Sequence, residues 1–146
     1  MKILKATIDH LEALVPLFDG YRVFYKQPSH PEAARAFLTE RFIKKDSVIF
    51  IVLDKEGSGL GFTQLYPSFS SVAMQRTYIL NDLFVAPSAR KQGIGEALLN
   101  KAKEFATANG SRGLTLETDI DNSARHLYEK LGWKKDTHVF HYTWEA

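Results

Sequence analysis

Leu83-Phe84-Val85-Ala86-Pro87-Ser88-Ala89-Arg90-Lys91-Gln92-Gly93-Ile94-Gly95-Glu96-Ala97 is the stretch on which the reading of this chain turns. An apolar strand ends near Val85, a basic loop with two glycines follows, and a helical pattern starts at once. The first N–H groups of a helix have no intrahelical acceptor, and the aligned peptide dipoles place partial positive charge there. Gly93 and Gly95 remove Cβ atoms that would hold a large anion away from those donors, and Arg90 and Lys91 add formal charge beside them. The basic loop and helix start around Gly93 and Gly95 are therefore a candidate cradle for a phosphate or pyrophosphate.

A nucleoside-triphosphate loop would need G-x-x-x-x-G-K-[ST], which the chain lacks. The dinucleotide fingerprint G-x-G-x-x-G is met at Gly93 and Gly95, but Leu98 takes the third glycine position. Glu117 and Asp119 fall near the end of the next strand, where a ribose-binding acid would sit. That fingerprint normally opens the first βαβ unit of a larger domain, which this chain does not offer. From the loop alone, dinucleotide binding and an unliganded helix start both stay open.

Outward from the loop, periodicity divides the chain into alternating elements. Ile3–Thr7 reads as a first strand, and Asp9 as the cap of a helix carrying the stripe Leu11, Leu14, Val15 and Phe18. An aromatic stretch, Tyr21-Arg22-Val23-Phe24-Tyr25, follows Gly20. Pro31 suits the first turn of a second helix, capped by Ser29 or His30 and running past Phe42. Val48–Leu53 is a β-branched run of the kind found in buried strands, and Lys55–Gly59 supplies a turn into a strand over Leu60–Tyr66. Pro67–Ser71 reads as a loop and Arg76–Val85 as a strand.

Beyond the cradle, a helix runs to about Ala108 and stops at Asn109-Gly110. A strand over Gly113–Thr118 and a helix over Ser123–Leu131 follow, and Val139–Trp144 reads as a closing strand. The expected order is βααβββαβαβ, an α/β mixed sheet flanked by helices, in one domain over residues 1–146.

Composition narrows the function. With 146 residues and 45% hydrophobic content the chain can build one sizeable core. A net charge of +2 is too small to argue for nucleic acid or an anionic membrane as the main partner, and neither is expected. There is no cysteine, which removes disulfides, thiolate metal sites and a cysteine nucleophile, and suits a cytoplasmic location. The N-terminus has no signal-peptide pattern. No metal site is expected, because His138 and His141 would point to opposite faces of a strand.

Arg90-Lys91-Gln92-Gly93-Ile94-Gly95 resembles the R/Q-x-x-G-x-G/A signature of the GCN5-related N-acetyltransferase (GNAT) superfamily. Asn122-Ser123-Ala124-Arg125-His126-Leu127-Tyr128-Glu129-Lys130-Leu131-Gly132-Trp133 is similar to that superfamily's N-x-x-A-x-x-L-Y-x-x-x-G-[FW] helix. Gln64–Ser71, taken with Leu80–Leu83, looks like a subgroup containing yeast enzymes that acetylate histones, polyamines or D-amino acids.

The resemblance implies transfer of acetyl from acetyl-CoA to a primary amine of a small molecule, peptide or protein. It implies that Gln92–Glu96 hold the pyrophosphate of coenzyme A and that Leu83, Phe84 and Val85 pair with its pantetheine arm. The strand with Thr115 and Glu117 would splay away to admit the thioester.

Tyr128 matches the superfamily's general acid near the coenzyme sulfur, though its place on the apolar stripe also suits plain packing. Asn122 would both cap its helix and touch the coenzyme. Related enzymes often carry a glutamate base where this chain has Asn81. Asp82 is the adjacent carboxylate, but strand alternation should turn it to the other face unless a bulge re-aims it.

Glu117 is a second candidate base at the substrate side. Tyr21, Tyr25, Tyr66 and Phe69 are candidate substrate contacts, suited to a cationic amine. A homodimer is common in the superfamily. The rival readings are a different acyl donor, an aminoglycoside acceptor, a non-catalytic coenzyme-binding regulatory module, and NAD binding.

Overall fold

A computed structural model describes all of residues 1–146. Five strands, β1 (Lys2–Lys5), β2 (Val48–Leu53), β3 (Gly59–Ser70), β4 (Gln75–Val85) and β5 (Leu114–Thr115), form one sheet in the order β1-β2-β3-β4-β5. The first three pairings are antiparallel and β4 with β5 is parallel, so the sheet is mixed as expected. Helices α1 (Leu11–Phe24) and α2 (Pro31–Lys44) cover one face, while α3 (Ile94–Ala108) and α4 (Ala124–Lys130) serve the other.

Each face has its own core. Leu14, Val15, Leu17 and Phe18 of α1 pack with Leu38 of α2 against Ile49, Ile51, Phe62 and Phe84 of the sheet. On the other side Leu98, Leu99 and Ala102 of α3 meet Phe50, Val52, Leu65 and Leu80. Side chains alternate across β2, Ile49 and Ile51 one way and Phe50 and Val52 the other, so this strand is apolar on both faces. Gly59 lets α1 approach closely: a Cβ there would lie 2.7 Å from the Ala13 carbonyl oxygen.

Several boundaries depart from the sequence reading. Thr7, not Asp9, caps the first helical turn, in a reciprocal arrangement with His10. The aromatic stretch through Phe24 belongs to α1, whose apolar packing carries it past both Pro16 and Gly20. Of the two caps expected for α2, Ser29 or His30, the structure uses His30, its Nδ1 accepting from the Ala33 N–H at 3.2 Å.

The expected loop at Pro67–Ser71 is instead the continuation of β3 to Ser70, with Pro67 opposite Tyr78. β2 stops pairing at Val48 with Leu65, so Pro67 lies on a free edge where its missing N–H costs no ladder bond. At the other end of the chain, β5 is confined to two residues, and Val139–Trp144 forms no strand. Those residues have the strand pattern but hydrogen-bond to no strand of the sheet, so they form no ladder.

Candidate active site

β4 carries an irregularity that shapes the whole site. Its register with β3 runs Gln64 opposite Asp82 and then Leu65 opposite Leu80, so Asn81 is an extra residue, a β-bulge. Tyr78 and Leu80 before the bulge and Leu83 and Val85 after it all face the α3 core. The bulge therefore moves Asp82 to the α1 side, together with Phe84. It also brings two consecutive side chains within reach of each other: Asn81 Nδ2 donates to Asp82 Oδ1 at 2.8 Å.

Asp82 is only 1% exposed, and Gln64 Nε2 donates to its other oxygen at 2.6 Å. Burial disfavours its charge and pushes the carboxyl up to about 6, against the opposing pull of the Asn81 and Gln64 amides. The phenols of Tyr21 and Tyr66 are held well above their ordinary range, first by burial and then by the Asp82 charge. Tyr21 also donates its hydroxyl proton to the Asn81 carbonyl oxygen at 3.0 Å, tying α1 to the bulge.

Beside the bulge the sheet opens. β4 and β5 pair only at Tyr78 with Leu114 and Ile79 with Thr115, and no strand follows the β5 side of β4 from Leu80 to Val85. The gap is a cleft of about 450 Å³. Asn81, Leu83, Phe84 and Val85 of β4 line it, with Glu117, Asn122 and Tyr128 from the segment after β5 and Tyr25 from the end of α1.

The basic loop and the start of α3 complete the lining with Arg90, Lys91, Gly93, Ile94, Gly95 and Glu96. Gly93 has φ +79°, a left-handed conformation that glycine adopts at no steric cost, and an added Cβ would meet nothing within 4 Å. The space over the helix start is therefore open. The first intrahelical bond runs from Ala97 N–H to the Gly93 carbonyl, and no side chain caps the helix. The N–H groups of Ile94, Gly95 and Glu96 are thus left to a ligand or solvent. Gly95 is packed more tightly, its Cβ position lying 3.4 Å from Leu127 of α4. Arg90 donates through Nε to the Val85 carbonyl at 3.0 Å, so its guanidinium bridges the strand end and the loop.

Tyr128 sits where α4 meets the sheet, 9% exposed with its ring centroid 6.0 Å from that of Trp133. Asn122 Oδ1 accepts from Ala124 N–H at 2.9 Å and starts the helix. Gly132, at φ +88°, ends it, which lets the Trp133 N–H reach back to the Tyr128 carbonyl at 3.0 Å. Burial, with the Tyr25 phenol adding to it, pushes the Tyr128 hydroxyl up to about 12, so this group is a proton donor at neutral pH.

The structure thus gathers most of the expected site residues in one cleft, but not all. Asp82 lies behind Asn81 rather than in the lining, and Gln92 is exposed and outside it. Tyr21 and Tyr66 are half-buried outside the lining. Phe69 is 71% exposed toward the far end of the hairpin, stacked under Arg76 at 4.4 Å, and does not reach the cleft. Phe24, Leu80, Ala89 and Leu127 line it without having been singled out in the sequence. Leu127 stood on the apolar stripe and was within reach of periodicity. The Gln64–Asp82 pair was not, since it depends on strand register.

A cleft with open helix N–H groups and a buried, protonated phenol in its lining can hold an anionic ligand and hand it a proton. A model of the acetyltransferase (GNAT) family matches residues 12–133. The chain is 50% identical over 143 residues to the uncharacterized N-acetyltransferase YhfO of Bacillus subtilis, covering 97% of this chain and 95% of that one. It is 40% identical to a probable acetyltransferase of Haemophilus influenzae over 134 residues, 92% of this chain and 90% of that one. A crystal structure of a probable acetyltransferase superposes with a TM-score of 0.93 at 43% identity, covering 100% and 98% of the two chains. The chain belongs to the GNAT family and is an N-acetyltransferase.

Proposed function

We propose that the enzyme moves acetyl from acetyl-CoA to a primary amine by direct attack within a ternary complex, and that it works as a homodimer. The observation that carries this reading is the pairing, in one cleft, of unspent helix N–H groups at Ile94–Glu96 with the protonated Tyr128 hydroxyl. A pyrophosphate fits the first feature and a leaving thiolate the second. The side of β4 from Leu80 to Val85 lacks a neighbouring strand, which suits an amide-bearing pantetheine chain lying along it as a strand would. Arg90 and Lys91 supply positive charge beside the phosphates.

The acceptor enters from the Tyr25 side. With Asn81 Nδ2 committed to Asp82, its Oδ1 is free to accept a hydrogen bond from the amine. Asp82 places negative charge directly behind it, which attracts an ammonium ion and takes up its proton through water. The neutral amine nitrogen then attacks the thioester carbon, the C–S bond breaks, Tyr128 gives its proton to the departing sulfur, and the proton that the nitrogen sheds on becoming an amide restores the Tyr128 hydroxyl. An amide and free coenzyme A result. Tyr21 acts on Asn81 rather than on the substrate, through its hydroxyl bond to the Asn81 carbonyl.

The test is titration with acetyl-CoA, coenzyme A and NAD, followed by a screen of amines for thiol release. Acetyl-CoA binding with turnover on at least one amine supports the reading. Binding without turnover on any amine replaces it with a regulatory module, and tighter binding of NAD removes it.

A further inference from the structure

Gln64 is fully buried, 0% exposed, and its amide is only half satisfied. Its Nε2 donates to Asp82 Oδ2 at 2.6 Å, while its Oε1 is buried with no hydrogen-bond partner. An apolar side chain of the same shape would leave no such orphan, so packing does not account for a glutamine here. Gln64 does not line the cleft, so it can act on the reaction only through Asp82.

The bulge at Asn81 creates the contact. It sets Asp82 opposite Gln64, with both side chains on the α1 face of the sheet, the face of Phe62 and Phe84. Each carboxylate oxygen then receives one amide proton, Oδ1 from Asn81 and Oδ2 from Gln64. No cation pairs with Asp82. The titratable groups that feel its charge are the phenols of Tyr21 and Tyr25 on the α1 side and of Tyr66 on β3. Arg41 of α2 and Asp46 just after it act on Tyr66 and not on Asp82. The charge of Asp82 therefore rests on two amides.

A primary amide can serve either protonation state of such a partner. It donates through Nε2 to a carboxylate and, turned over about its last torsion, accepts through Oε1 from the O–H of a carboxylic acid. Because Oε1 has no other partner, only Asp82 fixes which way the Gln64 amide faces. Turning it exchanges one unpartnered atom for the other and breaks no hydrogen bond except the one to Asp82. The amide is free to follow the proton.

We infer that Gln64 is a positioning residue for acetyl transfer, its amide steadying the Asp82 carboxylate before the ammonium proton arrives and turning over to hold the acid afterwards. The proton comes from the ammonium ion through water and leaves to water, and Gln64 itself gains and loses none. This role rests on the proposed one of Asp82, and it makes Gln64 a determinant of the pH at which the enzyme works.

Nuclear magnetic resonance of the wild-type chain gives the first test. The Gln64 side-chain amide signals should move in a single transition as pH passes about 6, where burial places the Asp82 carboxyl. Signals that stay put between about pH 4 and pH 8 overturn the inference. Gln64→Met gives the second, keeping the length of the side chain and removing both amide atoms, with far-UV circular dichroism to confirm the fold. The Asp82 carboxyl should titrate about one unit higher in the variant, because a donor to its charged form is lost. The acid limb of kcat/KM for an amine found by the thiol-release screen should move up equally, a loss of about tenfold below the limb and almost none above it. A purely structural role would lower kcat/KM evenly at every pH, and an unmoved limb overturns the inference. The resonance titrations need neither coenzyme nor amine, so an unmoved carboxyl overturns the role of Gln64 and leaves acetyl transfer standing. Absence of turnover on every amine overturns the proposed reaction, and this role with it.

Discussion

Replacing Asp82 by asparagine should make the protein more stable at neutral pH while slowing it. The folded-state carboxyl is raised to about 6 from an unfolded value near 3.8, with burial the main cause. A raised acid binds its proton more tightly in the folded state than in the unfolded one. Its contribution to stability is therefore complete below about pH 3.8, falls as pH rises, and is lost once pH passes about 6. The gap between 3.8 and about 6, at about 1.36 kcal/mol for each pH unit, makes the ionised buried carboxylate a liability of about 3 kcal/mol above pH 7.

Asp82→Asn removes that charge in nearly the same volume. Gln64 Oε1 is buried without a partner, so turning its amide lets it accept from the new side chain. At about 4 °C per kcal/mol for a chain of this size, thermal unfolding at pH 8 should occur up to about 12 °C higher in the variant, and the gap should close toward pH 4. Turnover should fall about 10²-fold, and the rise of wild-type turnover with pH through about 6 should vanish. A variant less stable than wild type at pH 8, by an amount that does not change with pH, would refute the reasoning. It would mean that Asp82 is held by its hydrogen bonds and carries no unfavourable charge.

Tyr128→Phe should keep coenzyme affinity, measured by calorimetry, and lower turnover in the thiol-release assay by about 10²-fold, because packing against Trp133 survives and only the proton donor is lost. Tyr21→Phe should raise KM for the amine more than it lowers kcat, since the lost hydroxyl bond supports the Asn81 backbone and touches no reacting atom. Gly59→Ala should cost about 1–3 kcal/mol in chemical denaturation, because the new Cβ would sit 2.7 Å from the Ala13 carbonyl oxygen and α1 would have to shift.

The parts of this fold that depend on local chemistry were readable in the sequence. β2 announced itself through Val48–Leu53, and the cradle through Gly93 and Gly95 at the junction of a strand and a helix. The parts that depend on what lies alongside were not. Pro67 looked like a loop residue because its strand's free edge is a matter of pairing, not of composition. The bulge at Asn81 is likewise a register event between distant segments, and on it turns whether Asp82 faces α1 or α3. Val139–Trp144 shows the reverse: the strand pattern was legible, but the segment pairs with no strand of the sheet.

The central claim is that the open helix start at Gly93 receives the coenzyme, and calorimetric titration of wild type, Gly93→Val and Gly57→Val with acetyl-CoA tests it most directly. Both glycines have positive φ, +79° and +85°, and both have open space at the Cβ position, so the two substitutions impose the same backbone strain. Gly57 lies in the β2–β3 turn, outside the cleft. Wild type and Gly57→Val should bind acetyl-CoA alike, and Gly93→Val should bind at least about tenfold more weakly, the equivalent of about 1.4 kcal/mol. Equal binding by all three proteins would contradict the account.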